Sequence, residues 1–240
     1  MTTQRGFTLI EMAIVLVIIT ILIGGLAMPL SAQIQARRIA ETKKTLEDAR
    51  EAILGFAMIN DGSPSTNRRL PCPDIEGDGT ESLNISDSEC AQSSGFLPWV
   101  DLGVANQDAW GNRLRYEVDR DLADPGKGFA TSVTSSFPPL TVCQTNTCAT
   151  TVAGNLAFVL VSHGPNGWGA QNINSAPGSL QAAPTGLDEV DNLDDSDQIY
   201  VSRSATKPDT ANGEFDDLLV WFSYPQLVAR VCPTGSDCAP

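Results

Sequence analysis

Arg5-Gly6-Phe7-Thr8-Leu9-Ile10-Glu11-Met12 opens a run in which Thr8, Glu11 and Thr20 are the only polar side chains from Phe7 to Met28. As a helix this run spans roughly 33 Å, enough to cross the hydrocarbon core of a bilayer. An ionised carboxylate left alone in lipid is costly, so Glu11 is expected to be neutral there or to meet a cation. A second reading is a solvated carboxylate near the helix N-terminus, favoured by the helix dipole and reaching for the interface. For the segment as a whole, the competitor is a secretory signal peptide. Gly24-Gly25 and Ala27 approach its small-x-small cleavage site, but such leaders have a longer basic region and a shorter apolar core.

Working outward, the helix is expected to continue past Pro29, which either bends it or simply follows the span. Leu46, Ala49, Ile53, Phe56 and Ala57 recur at intervals of three and four, with Arg38, Glu41, Lys44, Glu47, Asp48 and Glu51 over the remaining surface. Asp61-Gly62-Ser63-Pro64 reads as the stop, which gives one helix from Phe7 to Asn60, roughly 80 Å long.

Beyond the helix the composition changes. Residues 1–60 hold six Lys and Arg against five Asp and Glu, whereas residues 61–240 hold nine against 24, a net of −15. That balance makes the domain a poor candidate for direct nucleic-acid binding, since phosphates need basic side chains, and it keeps an exposed domain soluble. Leu156–Ser162 and Leu218–Phe222 are apolar runs of strand length, and Leu114–Val118 alternates. The fold class expected is α+β, a long helix packed on a small antiparallel sheet. Long stretches rich in Gly, Pro, Asn and Ser, at 61–98, 119–151 and 163–198, call for cross-links or a metal to order them. Six cysteines supply candidate cross-links. Local pairing of Cys72 with Cys90, Cys143 with Cys148 and Cys232 with Cys238 is the first choice among fifteen connectivities. A zinc site is the weaker alternative, because no Cys-x-x-Cys occurs and His163 is the only histidine.

The short leader ending Arg5-Gly6, followed by Phe7-Thr8-Leu9-Ile10-Glu11-Met12, resembles the prepilin motif of type IV pilins and of the pseudopilins of type II secretion systems. The likeness covers about thirty residues. It implies cleavage after Gly6 by a membrane prepilin peptidase on the cytoplasmic side, N-methylation of the new terminus at Phe7, and pairing of Glu11 with the terminal amine of a neighbouring subunit during assembly. Pro29 lies one position later than the family's usual proline, and Thr20 stands where a glycine is often found. The organisation implied is a leader at 1–6, a transmembrane and assembly helix at 7–29, its amphipathic continuation at 30–62, and an extracytoplasmic domain at 63–240, together a pilin fold. Charge counting alone points the other way, since Arg37, Arg38, Lys43 and Lys44 follow the span and only Arg5 precedes it. The processing motif, the cysteines and the acidic domain place the globular part outside the cytoplasm.

A second resemblance concerns the outer domain. Asp108-Ala109-Trp110-Gly111-Asn112 is similar to the Asp-Pro-Trp-Gly-Asn segment of the major pseudopilin. Ser162-His163-Gly164-Pro165-Asn166-Gly167 is similar to its Ser-x-Gly-x-Asp-Gly turn, and Asp216-Asp217 before Trp221 to its paired acids. In that family these lie in or beside a calcium site, which makes Ser162, Asp216 and Asp217 candidate ligands, with Asn166 where an aspartate is usual. Asp188–Asp197 is a second oxygen-rich stretch, with Asp191, Asp194, Asp195 and Asp197 as candidates, although it lacks the glycine and terminal glutamate of an EF-hand. Solvated acidic surface is the plain alternative for both.

Catalysis is not expected. With a single histidine there is little basis for a nucleophilic triad, and no Gly-x-Ser-x-Gly elbow or phosphate-cradling loop is present. The expected protein is a structural subunit, a minor pilin or pseudopilin, held first in the inner membrane. Its partners would be other such subunits, the prepilin peptidase, the inner-membrane assembly platform and lipid. A membrane-tethered binding protein or adhesin that does not assemble is the rival, and a secreted carbohydrate-binding domain a third possibility. Trp99, Trp110, Trp168 and Trp221 fit either a binding surface or the core.

Overall fold

A computed structural model describes residues 6–59, 68–84, 89–125, 129, 139–176, 178–194, 196–210 and 212–232, with the side chains of 24–29 and 59 outside that description. The chain divides into two compact units, Met1–Ala40 and Glu41–Pro240, and the division falls inside the first helix.

That helix, α1, runs Leu9–Ile59. It starts two residues later than Phe7 because Thr8 takes the capping position, and it continues through Pro29. Thr20, a polar residue in an apolar run, donates its hydroxyl to the carbonyls of Leu16 and Val17 at 3.0 and 2.8 Å. Its polarity is thus satisfied within the helix itself. The expected stop at Asp61–Pro64, and the expected boundary at residue 62, lie outside the described residues. Among the described residues, no helix is long and apolar enough to cross a membrane.

Within the second unit, Thr42, Leu46, Ala49, Ile53, Leu54 and Ala57 are buried, the three-and-four spacing placing them on one face. Leu54 joins the core where Phe56 was the expectation. Phe56 is half-buried, with the Arg69 guanidinium 5.3 Å from its ring centre. Each large aliphatic side chain so buried contributes about 1.5–3 kcal/mol.

Six strands form the sheet: β1 Ser94–Phe96, β2 Arg115–Val118, β3 Leu140–Cys143, β4 Thr151–Ser162, β5 Ile199–Val201 and β6 Leu218–Ser223. The order is β1-β2-β4-β3-β5, and β6 pairs with β4. The three strands read from sequence correspond to β2, the second half of β4, and β6. The expectation of an antiparallel sheet needs correction, because β5 runs parallel to β3, with Val142 opposite Tyr200. The long connection from β4 returns the chain beside β3 in the same direction, which a short hairpin cannot do.

β4 explains why its apolar run does not alternate. Phe158 and Leu160 join the core that holds the helix residues together with Tyr116 and Val118, while Val159 and Val161 join a second cluster with Val142 and Tyr200. A strand covered on both faces reads as continuously apolar.

Short helices punctuate the connections: α2 Trp99–Leu102, α3 Arg120–Ala123, α4 Leu187–Asp191 and α5 Tyr224–Val231. The first long connection is tied by the disulfide Cys72–Cys90, both buried, and by Arg69, whose Nη1 lies 2.5 Å from Glu81 Oε1. A second disulfide joins Cys143 and Cys148 at the start of the β3–β4 connection. Cys232 is also disulfide-bonded, and Cys238 lies outside the described residues.

Candidate metal centre and N-terminal motif

Phe7 is 81% exposed, and every side chain from Gly6 to Ile23 is solvent-facing in the isolated chain. Glu11 is not left unpaired there. Its Oε2 accepts from the Thr8 backbone N–H and hydroxyl, both at 2.8 Å, while the Glu11 N–H donates back to Thr8 Oγ1 at 3.4 Å. Thr8-Leu9-Ile10-Glu11 is therefore a reciprocal capping box, which satisfies otherwise orphaned donors of the first turn. The pattern is visible in sequence as Thr-x-x-Glu.

In the second unit, β4 ends at Ser162, and the chain turns through Gly164 and Gly167, both at positive φ. Gly164 cannot be replaced cheaply, since a Cβ there would collide with the Asp216 backbone. This close approach brings the 162–167 turn against the strand entering β6. Asp216 Oδ2 accepts from the Asn166 N–H at 3.2 Å. Glu189, on α4, accepts at Oε1 from the Asp216 N–H at 2.9 Å and from Asn166 Nδ2 at 3.2 Å. Asp217 accepts at Oδ2 from Asn192 Nδ2 at 2.8 Å, and its Oδ1 lies 3.5 Å from His163 Nδ1.

Glu189, Asp216 and Asp217 consequently converge, with one oxygen of each within 4.8 Å of the others. Glu189 is 2% and Asp217 6% exposed. Burial pushes the Glu189 carboxyl up to about 7, with the Asp217 charge adding to it. Burial raises Asp216 to about 7 as well, helped by the charge on Glu189. Asp216 Oδ1 is buried without a hydrogen-bond partner. Like charges taken from water and set side by side resist ionisation unless a cation joins them.

The residues expected as ligands are brought together only in part. Asp216 and Asp217 come together as anticipated, but the Ser162 hydroxyl turns away and donates to Asp108 Oδ2 at 2.7 Å. Asp108 is held in place by the N–H groups of Trp110 and Asn112, both at 2.9 Å from Oδ1. The carboxylate missing at Asn166 is met by Glu189, which sequence reading placed inside an acidic stretch without singling it out. The rest of that stretch forms no further three-carboxylate group among the described residues. Asp194 and Asp197 are exposed and each caps a local turn, accepting from Ser196 and Ile199 at 2.9 and 3.0 Å, and Asp195 lies outside the description. Asp191 is raised to about 6 by burial and then by Asp197, Asp188 and Asp194.

Residues 1–27 match a family model described as the prokaryotic N-terminal methylation motif. This chain carries the signature of type IV pilins and pseudopilins. The match covers the pilin-type head of the molecule and stops before the second unit. Neither a curated protein nor a solved structure matches the chain.

Proposed function

We propose that this pilin-type protein is a structural subunit, a minor pilin or pseudopilin, of a type IV pilus or type II secretion pseudopilus. The observation that carries the reading is the first helix: from Leu9 to Ile23 it exposes an almost wholly apolar surface with no partner among the described residues. Such a surface has to be covered by lipid or by other helices. The sequence run Phe7–Met28 supports both in succession, first in the inner membrane after delivery to prepilin peptidase, then beside neighbouring helices once an assembly platform extracts it. Glu11 would set the register by meeting the Phe7 amine of an adjacent subunit. Mass spectrometry of the mature N-terminus tests the first step, with methylated Phe7 expected. An intact Met1, or a terminus beyond Ala27, would refute it.

One observation favours the rival reading, a membrane-tethered binding protein. The Glu11 carboxylate already has partners within its own subunit, so it does not require a neighbour. Incorporation of the chain into sheared filaments separates the two readings.

The acidic cluster fits a hard cation: three carboxylates, two of them raised by burial, and one buried oxygen lacking a donor. Calcium takes six to eight oxygens, and Glu189, Asp216 and Asp217 would hold it, joining α4 to the start of β6. Its chemistry there is structural, cancelling charge and ordering a loop. We propose a non-catalytic role for the domain, in which the single histidine, His163, faces Asp217.

A further inference from the structure

A cavity of about 140 Å³ opens on the second unit between Phe96, Ala170 and Leu180, with Arg113, Arg115 and His163 in its wall and no carboxylate among the lining residues. That is an unusual lining for residues 61–240, where acids outnumber bases 24 to nine. The other arginines described there are committed: Arg69 to Glu81, Arg120 to Glu89, Arg203 to Asp188, Arg230 to Glu51, and Arg68 to the Val231 carbonyl. Arg115 serves the Tyr200 hydroxyl.

Arg113 differs from all of these. Among the described residues it makes no ion pair, and its Nε and Nη1 are buried without a hydrogen-bond partner. Its guanidinium stacks on Trp99, 4.0 Å from the ring centre, which orients the plane without using a single N–H. The opposing charge that acts on Arg113 is Asp74, and that carboxylate is taken up by the backbone N–H groups of Glu76, Gly77 and Gly79, at 2.7 to 3.0 Å. A partly buried guanidinium with donors to spare and no direct ion pair calls for an anion, and planar carboxylates fit it best.

We propose that the Arg113 cavity is a binding site for a carboxylate on a short apolar stem. The charge sits against Arg113 and the stem against Phe96, Ala170 and Leu180. The volume admits a group about the size of a butyrate or a glutamate side chain, so the ligand is either a small free acid or an acidic side chain presented by another protein. The site does not rest on the filament reading, and it shares only a neighbour with the metal cluster, His163, whose Nδ1 lies 3.5 Å from Asp217 Oδ1.

The test is a fluorescence titration of the full-length chain with sodium butyrate, using Trp99 as the reporter beside Arg113, against butanol and against sodium chloride at equal ionic strength. Saturable change with butyrate alone is expected, lost in Trp99→Phe and weakened at least tenfold in Arg113→Gln, with Arg113→Lys intermediate. Absence of saturation in the unsubstituted chain overturns the proposal whether or not the variants fold. So does an equal response to butanol, or saturation that persists in Arg113→Gln. A capped Ala-Glu-Ala tripeptide identifies the source. Tighter binding than butyrate supports the site with a protein side chain as ligand, and exclusion of the peptide while butyrate binds supports it with a free acid.

Discussion

Thr8 and Glu11 cap one another: the Glu11 carboxylate holds both donors of Thr8 at 2.8 Å, and the Thr8 oxygen receives the Glu11 N–H. One acidic side chain therefore has two potential uses, starting a helix within its own subunit and meeting an amine in the next. The two make different demands, because a capping box accepts glutamine as readily as glutamate, whereas an ion pair needs the charge.

Substitution separates them. Glu11→Gln should keep the first turn and the amount of subunit in the membrane fraction, yet abolish recovery of the subunit in sheared filaments, as Glu11→Ala should. Thr8→Ala should weaken the helix start by about 1 kcal/mol and still assemble. Immunoblots of sheared and membrane fractions measure both, and normal assembly of Glu11→Gln would reduce Glu11 to a cap.

Calcium should stabilise the second unit. At a hundredfold excess over its dissociation constant, a bound ion adds about 2.7 kcal/mol, a rise of roughly 5–10 °C in melting temperature for a domain of this size. Glu189→Gln and Asp216→Asn should each lose most of that rise, whereas Ser162→Ala should keep it, since that hydroxyl serves Asp108. Calorimetry with calcium and with chelator decides the matter, and a Ser162→Ala variant blind to calcium would contradict the ligand set.

In chelator, stability should fall as pH rises. Glu189 and Asp216 are both raised to about 7 in the folded chain, above the roughly 4 of an unfolded carboxyl. Between those values the folded state binds more protons, so the contribution is complete below about pH 4 and is lost as pH passes through 7. Urea midpoints at pH 5 and pH 8 should differ in that direction, and Glu189→Gln should shrink the difference. A midpoint that climbs with pH in chelator would mean that the carboxylates are not crowded.

The two disulfides should differ in worth. Cys72–Cys90 closes 18 residues of chain and Cys143–Cys148 closes five. On loop-closure entropy the first contributes about 3 kcal/mol and the second about 2, so the Cys72→Ser, Cys90→Ser double variant should have the lower urea midpoint. The opposite ranking would show that native contacts, not chain entropy, govern these cross-links.

The division between what was legible and what was not follows distance along the chain. The apolar run after Gly6, the three-and-four spacing from Leu46 to Ala57, the strand runs of β4 and β6 and cysteines close in sequence are all local patterns. Their cause is helix or strand periodicity acting over a few residues, and Thr-x-x-Glu was as open to reading as any of them. Amino-acid order is enough to place a capped apolar helix before an acidic α+β domain. It does not say that β5 lies parallel to β3, that Ser162 faces Asp108 across 54 positions, or that Glu189 meets Asp216 and Asp217. Those meetings depend on sheet register and on the backbone approach of Gly164 to Asp216. Carboxylates repel one another in solution, so they gather only where the packed chain around them leaves no other place to stand.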